Sequence, residues 1–396
     1  MTTSQSQPSI AEWNEYVDLL KEAGDFYHLT LEPHTEQVRG EYYRQLVMNL
    51  SLAYFMHFQS TPEHPDWAPF LNSAYLLQPN PDDTYYYAPL RGDGVYRIVG
   101  ERGTVHLMTF TTTRDKMGMK EVMGPSYDYY DADELQMDQD GRFDFILSTE
   151  KPANYNGDWR YLHPDADNVV IRQRSYDWGR ERDARFAIEC LSHTQLKPRP
   201  DLPFIDCKLR AMLGEFPHNL AKIWLGYQKK TMARPDIVNE ARLTQFPSGL
   251  EAQIYWEAIY SIEEDEALIL ESDLPDVRRY WNVQLNDELW NATEYVQRQS
   301  SLNGHQARID SDGRFRAVIS LSDPGVPNWL DTAGYHRGTM IGRWFDCNSH
   351  PQPTLRKVKL AEVAAHLPAD TPKITAEERR RLLSERRIGA QLRKRW

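Results

Sequence analysis

Gln306-Ala307-Arg308-Ile309, Asp310-Ser311-Asp312-Gly313 and Arg314-Phe315-Arg316-Ala317-Val318-Ile319-Ser320 follow one another without a break. The outer segments read as strands. The tetrad between them reads as a hairpin turn, because Asp-Gly tolerates the positive φ that tight turns require. The chain then runs into Asp323-Pro324-Gly325-Val326-Pro327-Asn328-Trp329-Leu330-Asp331-Thr332, where Pro-Gly and Pro-Asn steps force an irregular loop of the kind that carries binding residues on a rigid sheet.

Strand-like runs extend outward from this stretch. Glu251–Ile262, Ala267–Leu270 and Tyr280–Val283 precede it, and Val95–Val99, Val105–Thr111, Phe143–Ser148, Val169–Arg174 and Phe186–Leu191 form an earlier set between Gly, Asn, Asp and Pro clusters. Helical spacing marks Ile10–Ala23 and Thr35–Phe58, the latter with Val38, Tyr42, Leu46, Leu50 and Tyr54 on one stripe expected to pack on a sheet. A further helical stretch, Phe204–Met232, ends before the breaker Pro235, and Thr375-x-x-Glu378 fits a capping box that opens a last helix. No repeat of 20–50 residues is visible. The reading is a mainly β, α+β chain: a helical segment 1–75, a β-rich domain 76–200, a helical connector 201–240, a second β unit 241–350, and a spacer with a basic helix 351–396. A chain of 396 residues is long enough to require two cores.

The N-terminus lacks a basic region and an apolar run, and no 18 apolar residues occur together, so neither a secretory signal nor a membrane span is expected. Three widely spaced cysteines, Cys190, Cys207 and Cys347, read as reduced thiols buried as small hydrophobes in a cytoplasmic protein. The net charge of −12 disfavours nucleic acid as a partner. Residues 375–396 reverse that balance with eight Arg/Lys against three Glu, and this tail is expected to strap across its own protein or a sister subunit.

No dinucleotide, phosphate-loop, serine-elbow, H-E-x-x-H or C-x-x-C motif is present; Gly92-Asp93-Gly94 leads into a strand and reads as a turn. The histidines are scattered, with no metal-ligand spacing. No cofactor and no metal are therefore expected. With 22 Tyr, 11 Trp and 13 Phe, the chain is rich in side chains that form strands or line pockets.

Two stretches concentrate polar and aromatic residues. In Asn80-Pro81-Asp82-Asp83-Thr84-Tyr85-Tyr86-Tyr87-Ala88, Asp83 and Tyr85 are candidate proton-transfer groups, with Tyr86 beside them and His106 on the next strand facing the same cavity. The same residues also make good turn chemistry entering a strand. In the second stretch, Asp331 could orient His336 and raise its basicity, Arg343 could hold an anionic group or polarised oxygen, and Asn328 and Trp329 could contact substrate. The alternative is that Asn328 and Asp331 satisfy loop amides, Trp329 and Trp344 are core, and Arg343 pairs with Asp323.

Tyr280-Trp281-Asn282, Ser301-Leu302-Asn303, Asp310-Ser311-Asp312-Gly313, Asp323–Thr332 and Gly338 through Arg343-Trp344 occur in an order that resembles the bacterial domain-of-unknown-function 1214 family. That family has no agreed reaction. The resemblance covers about Tyr280 to Trp344 and is weaker in Asn80–Gly100, Gly157–Trp178 and the Arg-rich end. It implies a C-terminal antiparallel β-sandwich of jelly-roll type, often preceded by a partner domain of unknown function 1254, whereas the first 75 residues here look helical.

Three functional readings follow. The first is a cofactor-independent lyase or hydrolase using acid–base chemistry on a hydrophobic aromatic or isoprenoid-type molecule, with Asp331 and His336 sharing one pocket with Asp83 or Tyr85. The second is a carbohydrate-active β-sandwich working on small glycosides. The third is a non-catalytic module that self-assembles through sandwich faces and the basic tail, with a homo-oligomer expected under either of the last alternatives or the first.

Overall fold

The computed structural model describes residues 9–30, 33–71, 78–246, 250 and 252–394. Helices α1 (Trp13–Lys21) and α2 (Glu36–Phe58) open the chain; the Thr35 hydroxyl caps α2 by accepting from the Val38 amide at 3.2 Å. Nine strands follow: β1 (Ala68–Pro69), β2 (Asp83–Pro89), β3 (Val95–Glu101), β4 (Leu107–Thr113), β5 (Ser126–Asp131), β6 (Arg142–Ser148), β7 (Asp158–Tyr161), β8 (Asn168–Arg174) and β9 (Arg185–Cys190). Helix α3 (Leu202–Arg210), a π-helical turn (Ala211–Glu215) and α4 (Phe216–Met232) then lead to nine more. These are β10 (Arg242–Thr244), β11 (Gln253–Ser261), β12 (Glu266–Ser272), β13 (Arg278–Asn286), β14 (Ser301–Asn303), β15 (Phe315–Ser320), β16 (Trp329–Asp331), β17 (Arg337–Cys347) and β18 (Thr354–Lys359), before α5 (Ala376–Leu392).

The first nine strands form two sheets, ordered β1-β2-β8-β4-β5 and β7-β6-β3-β9; the second nine form β10-β11-β17-β13-β14 and β16-β15-β12-β18. Each strand of the second unit occupies the place of the strand nine earlier in the first, so one wiring is used twice. Even the exception repeats: β6–β7 and β15–β16 are parallel while the other named pairs are antiparallel.

Sequence accompanies the wiring. Asp138-Gln139-Asp140-Gly141-Arg142-Phe143 enters β6 as Asp310-Ser311-Asp312-Gly313-Arg314-Phe315 enters β15. In both turns the glycine has positive φ (74° and 82°) and its amide bonds the first aspartate carbonyl. On the following parallel strands, Trp159 Nε1 donates to Ser148 Oγ at 3.0 Å and Trp329 Nε1 donates to the Ser320 carbonyl at 3.1 Å. This period is far longer than a solenoid repeat and carries few identities, which is why it escapes a scan for short periods.

Each sandwich has its own apolar filling, Tyr96, Ile98, Phe110, Phe143, Phe145 and Leu147 in the first and Trp256, Tyr260, Leu268, Trp281, Phe315 and Trp344 in the second. The two five-stranded sheets face each other: Leu107 of β4 packs with Leu250, Tyr280 and Phe345. Helices α2 and α4 pack on one side of this junction, where Leu52, Ala53, Met56, Phe216 and Leu220 meet Tyr85, Tyr87 and Val170.

Several expectations need correction. The buried side of α2 is Tyr42, Gln45, Asn49, Leu52, Ala53, Met56 and His57, and Tyr54 is exposed; the helix is rotated because Gln45 reaches the Leu289 carbonyl and Asn291 of the second unit. Gln306–Ile309 is not a strand but a loop ending in a single bridge, Ile309 to Phe315. Glu251 lies outside the described residues, and β11 begins at Gln253. The second sandwich passes residue 350 because β18 pairs with β12, and the first takes in β1 before residue 76. The cysteines are not core residues: Cys207 is exposed and Cys190 and Cys347 are half-buried.

The basic tail folds onto its own chain. Thr375 and Glu378 form the expected capping box. Arg379, Arg386 and Arg393, seven residues apart and so on about one side of the helix, each find a site. Arg379 bonds the Asp323 carboxylate at 2.8 and 3.1 Å, Arg386 donates to the Tyr295 carbonyl and Ser301 Oγ at 2.7 and 2.6 Å, and Arg393 donates to the Pro81 and Asp82 carbonyls at 2.6 Å each.

Candidate functional site between the two sandwiches

Strand β2 is buried on both faces, and alternation sends Asp83 and Tyr85 toward the second sandwich and Tyr86 into the first core. Tyr86 is held there, its hydroxyl donating to the Lys394 carbonyl at 2.6 Å. Opposite Asp83 on β8 stands Arg174, whose Nε and Nη2 bond the carboxylate at 2.5 and 2.8 Å. Both partners are almost fully buried, with side chains 1% and 2% exposed. Gln253 and the Tyr280 ring, 4.0 Å from the guanidinium, cover the pair from the second unit.

One turn of the register further, Tyr85 faces Arg172 across β2 and β8, and the duplicated strands β11 and β17 place Tyr255 opposite Arg343. In each pair the guanidinium lies over the phenol ring, at 5.9 and 5.8 Å from its centroid. Both pairs line a single cavity of about 120 Å³ between the sheets. Trp224 of α4, Phe246 and Trp290 supply its aromatic wall, and Met117 and Ile341 add aliphatic surface. Trp290 packs 5.1 Å from Trp224 and holds a left-handed backbone with φ 68°. Leu71 and Gln78 on the same wall also have positive φ, and such conformations in bulky residues persist where surrounding structure enforces them, which is common at binding sites.

The electrostatics of this cavity are lopsided. Arg174 is neutralised by Asp83, but among the described residues no carboxylate lies within ion-pair distance of Arg172, Arg343 or the nearby Lys116. Arg172 donates to Thr111 Oγ1 at 3.2 Å, and Arg343 to Gln284 Oε1 at 2.6 Å and Asn282 Oδ1 at 3.3 Å, all neutral acceptors. Burial, then the charge of Arg172, pushes the Lys116 amine down to about 7. Burial, then the Asp83 charge, pushes the Tyr85 phenol above its ordinary value, while Arg343 and Arg172 pull it down. Tyr85 is therefore a hydrogen-bond donor at neutral pH and not a base.

The depressed Lys116 pKa has a measurable consequence. Between about pH 7 and the usual lysine value near 10.4 the unfolded chain binds the proton and the folded chain does not, so stability contributed at this site rises with pH through that window. Lys116→Met is expected to stabilise the protein at pH 7 by a few kcal/mol, at about 1.4 kcal/mol per pH unit of displacement, and to flatten the pH dependence. Urea midpoints from pH 6.5 to 10 for both proteins check this; parallel curves would mean that the amine is solvated.

The sequence-derived candidates divide cleanly. Asp83, Tyr85 and Arg343 meet in this cavity. Asp331 instead accepts from Arg298 Nη1 at 2.9 Å and from the Ala333 amide at 2.8 Å, and His336 sits half-exposed with Nδ1 against the Ile262 carbonyl. The expected Asp331–His336 couple beside Asp83 or Tyr85 is not formed, since each side chain braces its own strand end. Asn328 braces the Arg308 and Arg316 backbone, Trp329 carries the Arg379 guanidinium at 5.2 Å, and His106 stacks on Tyr176 and meets the Arg279 carbonyl. Arg343 does not pair with Asp323, which is taken by Arg379.

The two polar stretches nevertheless meet. Asp82 accepts from Tyr280 OH at 2.5 Å, Asn282 Nδ2 at 3.2 Å, Asn303 Nδ2 at 2.7 Å and Trp178 Nε1 at 2.8 Å. This node ties the entry of β2 to β13 and β14. Arg172, Arg174, Lys116, Trp224, Gln253, Tyr255 and Trp290 were not singled out from sequence. Two arginines within three residues at the end of the apolar run Val169–Ile171 were the available signal.

A wider depression of about 970 Å³ lies on the outer sheet of the first sandwich, but its Arg97 already bonds Asp144 and Glu189. Among the described residues no group of three or more His, Cys, Asp or Glu side chains is placed to hold a metal, and no helix is long and apolar enough to cross a membrane.

A crystal structure of an uncharacterised protein from Burkholderia cenocepacia superposes with a TM-score of 0.80 at 27% identity, covering 88% of this chain and 97% of that one. A Vibrio parahaemolyticus protein aligns over 87% of this chain and 100% of its own at 14% identity and a TM-score of 0.42. No curated protein matches. Residues 262–348 match the model of the family described as protein of unknown function DUF1214, and over that part of the second sandwich the chain resembles this family.

Proposed function

We propose that the chain is a cofactor-independent enzyme of the lyase or hydrolase type, acting on a small organic acid with a compact apolar or aromatic body held between the two sandwiches. The observation that carries this reading is the convergence of two Tyr–Arg pairs on one aromatic-walled cavity, where neither Arg172 nor Arg343 forms an ion pair with a carboxylate among the described residues. Arg172 and Arg343 would hold anionic oxygens, Tyr85 and Tyr255 would donate hydrogen bonds, and the indoles of Trp224 and Trp290 would pack the apolar body. Lys116, close to neutral beside Arg172, is the group suited to exchange a proton at pH 7. Independence of an organic cofactor rests on the missing sequence fingerprints. The small-glycoside reading draws nothing from this cavity: it needs two carboxylates about 5–9 Å apart, and Asp83, the one carboxylate among the described lining residues, is bonded to Arg174.

A thermal-shift panel of aromatic and short aliphatic acids, followed by proton NMR of any that bind, tests the proposal. Ligand at 100 times its dissociation constant stabilises by about 2.7 kcal/mol, so a clear rise in Tm is expected for some acids, lost in Arg172→Gln and Arg343→Gln. Consumption of a binding acid, lost in Lys116→Met, is the expected second result. No rise with any acid would sink the binding site; binding without turnover would leave a binding module.

A further inference from the structure

We infer that the ligand of the cavity between the sandwiches is a compact dicarboxylate, with one acidic group taken by each half of the duplicated chain; this rests on the reading of that cavity as a small-acid site.

Duplication supplies the first argument. Tyr85–Arg172 and Tyr255–Arg343 occupy equivalent register positions on equivalent strands, and they face one another because the two five-stranded sheets do. A site built from two copies of one element presents the same chemistry twice. Both guanidiniums line the same cavity, Arg172 at 5.9 Å from the centroid of the Tyr85 ring and Arg343 at 5.8 Å from that of the Tyr255 ring.

Charge supplies the second. Burying a cation without a partner is costly, and natural proteins pair such groups or neutralise them with a ligand. Arg343 and Lys116 are buried, 5% and 6% exposed, and Arg172 is half-buried, yet no described carboxylate pairs with any of them. One carboxylate leaves at least one guanidinium uncompensated. Two carboxylates match the two guanidiniums, with Lys116 able to shed its proton. Each guanidinium also retains N–H donors beyond those engaged by Thr111, Asn282, Gln284 and the Gln78 carbonyl, enough for a carboxylate fork.

Size supplies the third. A cavity of about 120 Å³ is somewhat smaller than the roughly 150 Å³ that accepts benzene, which limits the body to a few carbons between the acidic ends.

Calorimetry on the full chain with succinate, glutarate and adipate, the matched monoacids butyrate, valerate and hexanoate, and inorganic phosphate tests this. At least one diacid is expected to bind tenfold or more tighter than its monoacid, and Arg172→Gln and Arg343→Gln are each expected to reduce it to monoacid strength. Arg172→Lys and Arg343→Lys, which keep the charge, recover part of the affinity, and thermal unfolding of each variant without ligand shows that it folds. Equal binding of diacid and monoacid would overturn the dicarboxylate while leaving the acid site standing. Phosphate binding tighter than every diacid would overturn it in favour of an inorganic dianion. Silence from every acid, here and in the thermal-shift panel with its aromatic acids, would remove the acid site itself.

Discussion

Replacing Arg174 by Met will destabilise the protein by about 3–5 kcal/mol, the cost of stranding a buried charge, read as a fall in the urea midpoint with an unchanged slope. The carboxylate of Asp83 accepts two of the five N–H donors of Arg174, and both side chains are buried where the sheets meet. Removing the cation leaves a carboxylate that is only 1% exposed without the guanidinium that neutralises it. The guanidinium also carries packing, with the Tyr280 ring 4.0 Å and the Phe345 ring 5.4 Å away, so the loss would propagate to the second sandwich. The double variant Arg174→Met with Asp83→Leu separates these contributions. If the stranded charge dominates, the second change restores most of the stability; if packing dominates, the costs of the two changes add. A single-variant cost below about 1 kcal/mol would mean that Asp83 finds water and that the junction is open.

The architecture was legible wherever one residue type has one local meaning. The Asp-x-Asp-Gly turn, the capping box that opens α5, and the apolar runs of β6, β8 and β15 follow from φ preferences and alternation, which act within a few residues. The duplication was not legible, because what repeats is strand order, and order is enforced by pairing between residues far apart in the chain. Short strands were lost for a related reason. Three-residue β14 and β16 hold their place through Asn303 on Asp82 and Trp329 on Ser320, contacts that no local window contains.

The site was half legible. Polar density in Asn80–Ala88 pointed to Asp83 and Tyr85, and the Arg343-Trp344 dipeptide pointed to Arg343, and all three meet. Asp331 and His336 misled because proximity in sequence says little about direction on a strand: Asp331 is drawn to Arg298, and His336 opens β17 on its solvent side. Lys116 had no signal, since a lone lysine among polar turn residues normally lies in water. Its burial, and the Arg172 charge that acts on it from β8, are set by residues far from it in the chain.

The same logic of distant partners makes the tail a large determinant of stability. Ending the chain before Thr375 is expected to lower stability by about 3–6 kcal/mol, given that a hydrogen bond to a charged group contributes roughly 1.5–3 kcal/mol, and Tm by on the order of 10 °C. Three anchors are lost together: Asp323 loses Arg379, Ser301 and the Tyr295 carbonyl lose Arg386, and the Pro81 and Asp82 carbonyls lose Arg393. Trp178, which carries both Arg386 and Arg393 over its ring at 4.6 and 5.0 Å, is uncovered. A contrast with Arg380→Ala/Arg381→Ala identifies the cause, because these two are exposed and remove the same kind of charge without an anchor; their loss is expected to leave Tm within about a degree. Equal falls in both would assign the effect to net charge. Arg393 adds a functional consequence. It clamps the backbone immediately before Asp83, so the truncated chain should bind organic acids more weakly even at temperatures where it remains folded, and ligand titration at 15 °C would reveal that coupling between strap and cavity.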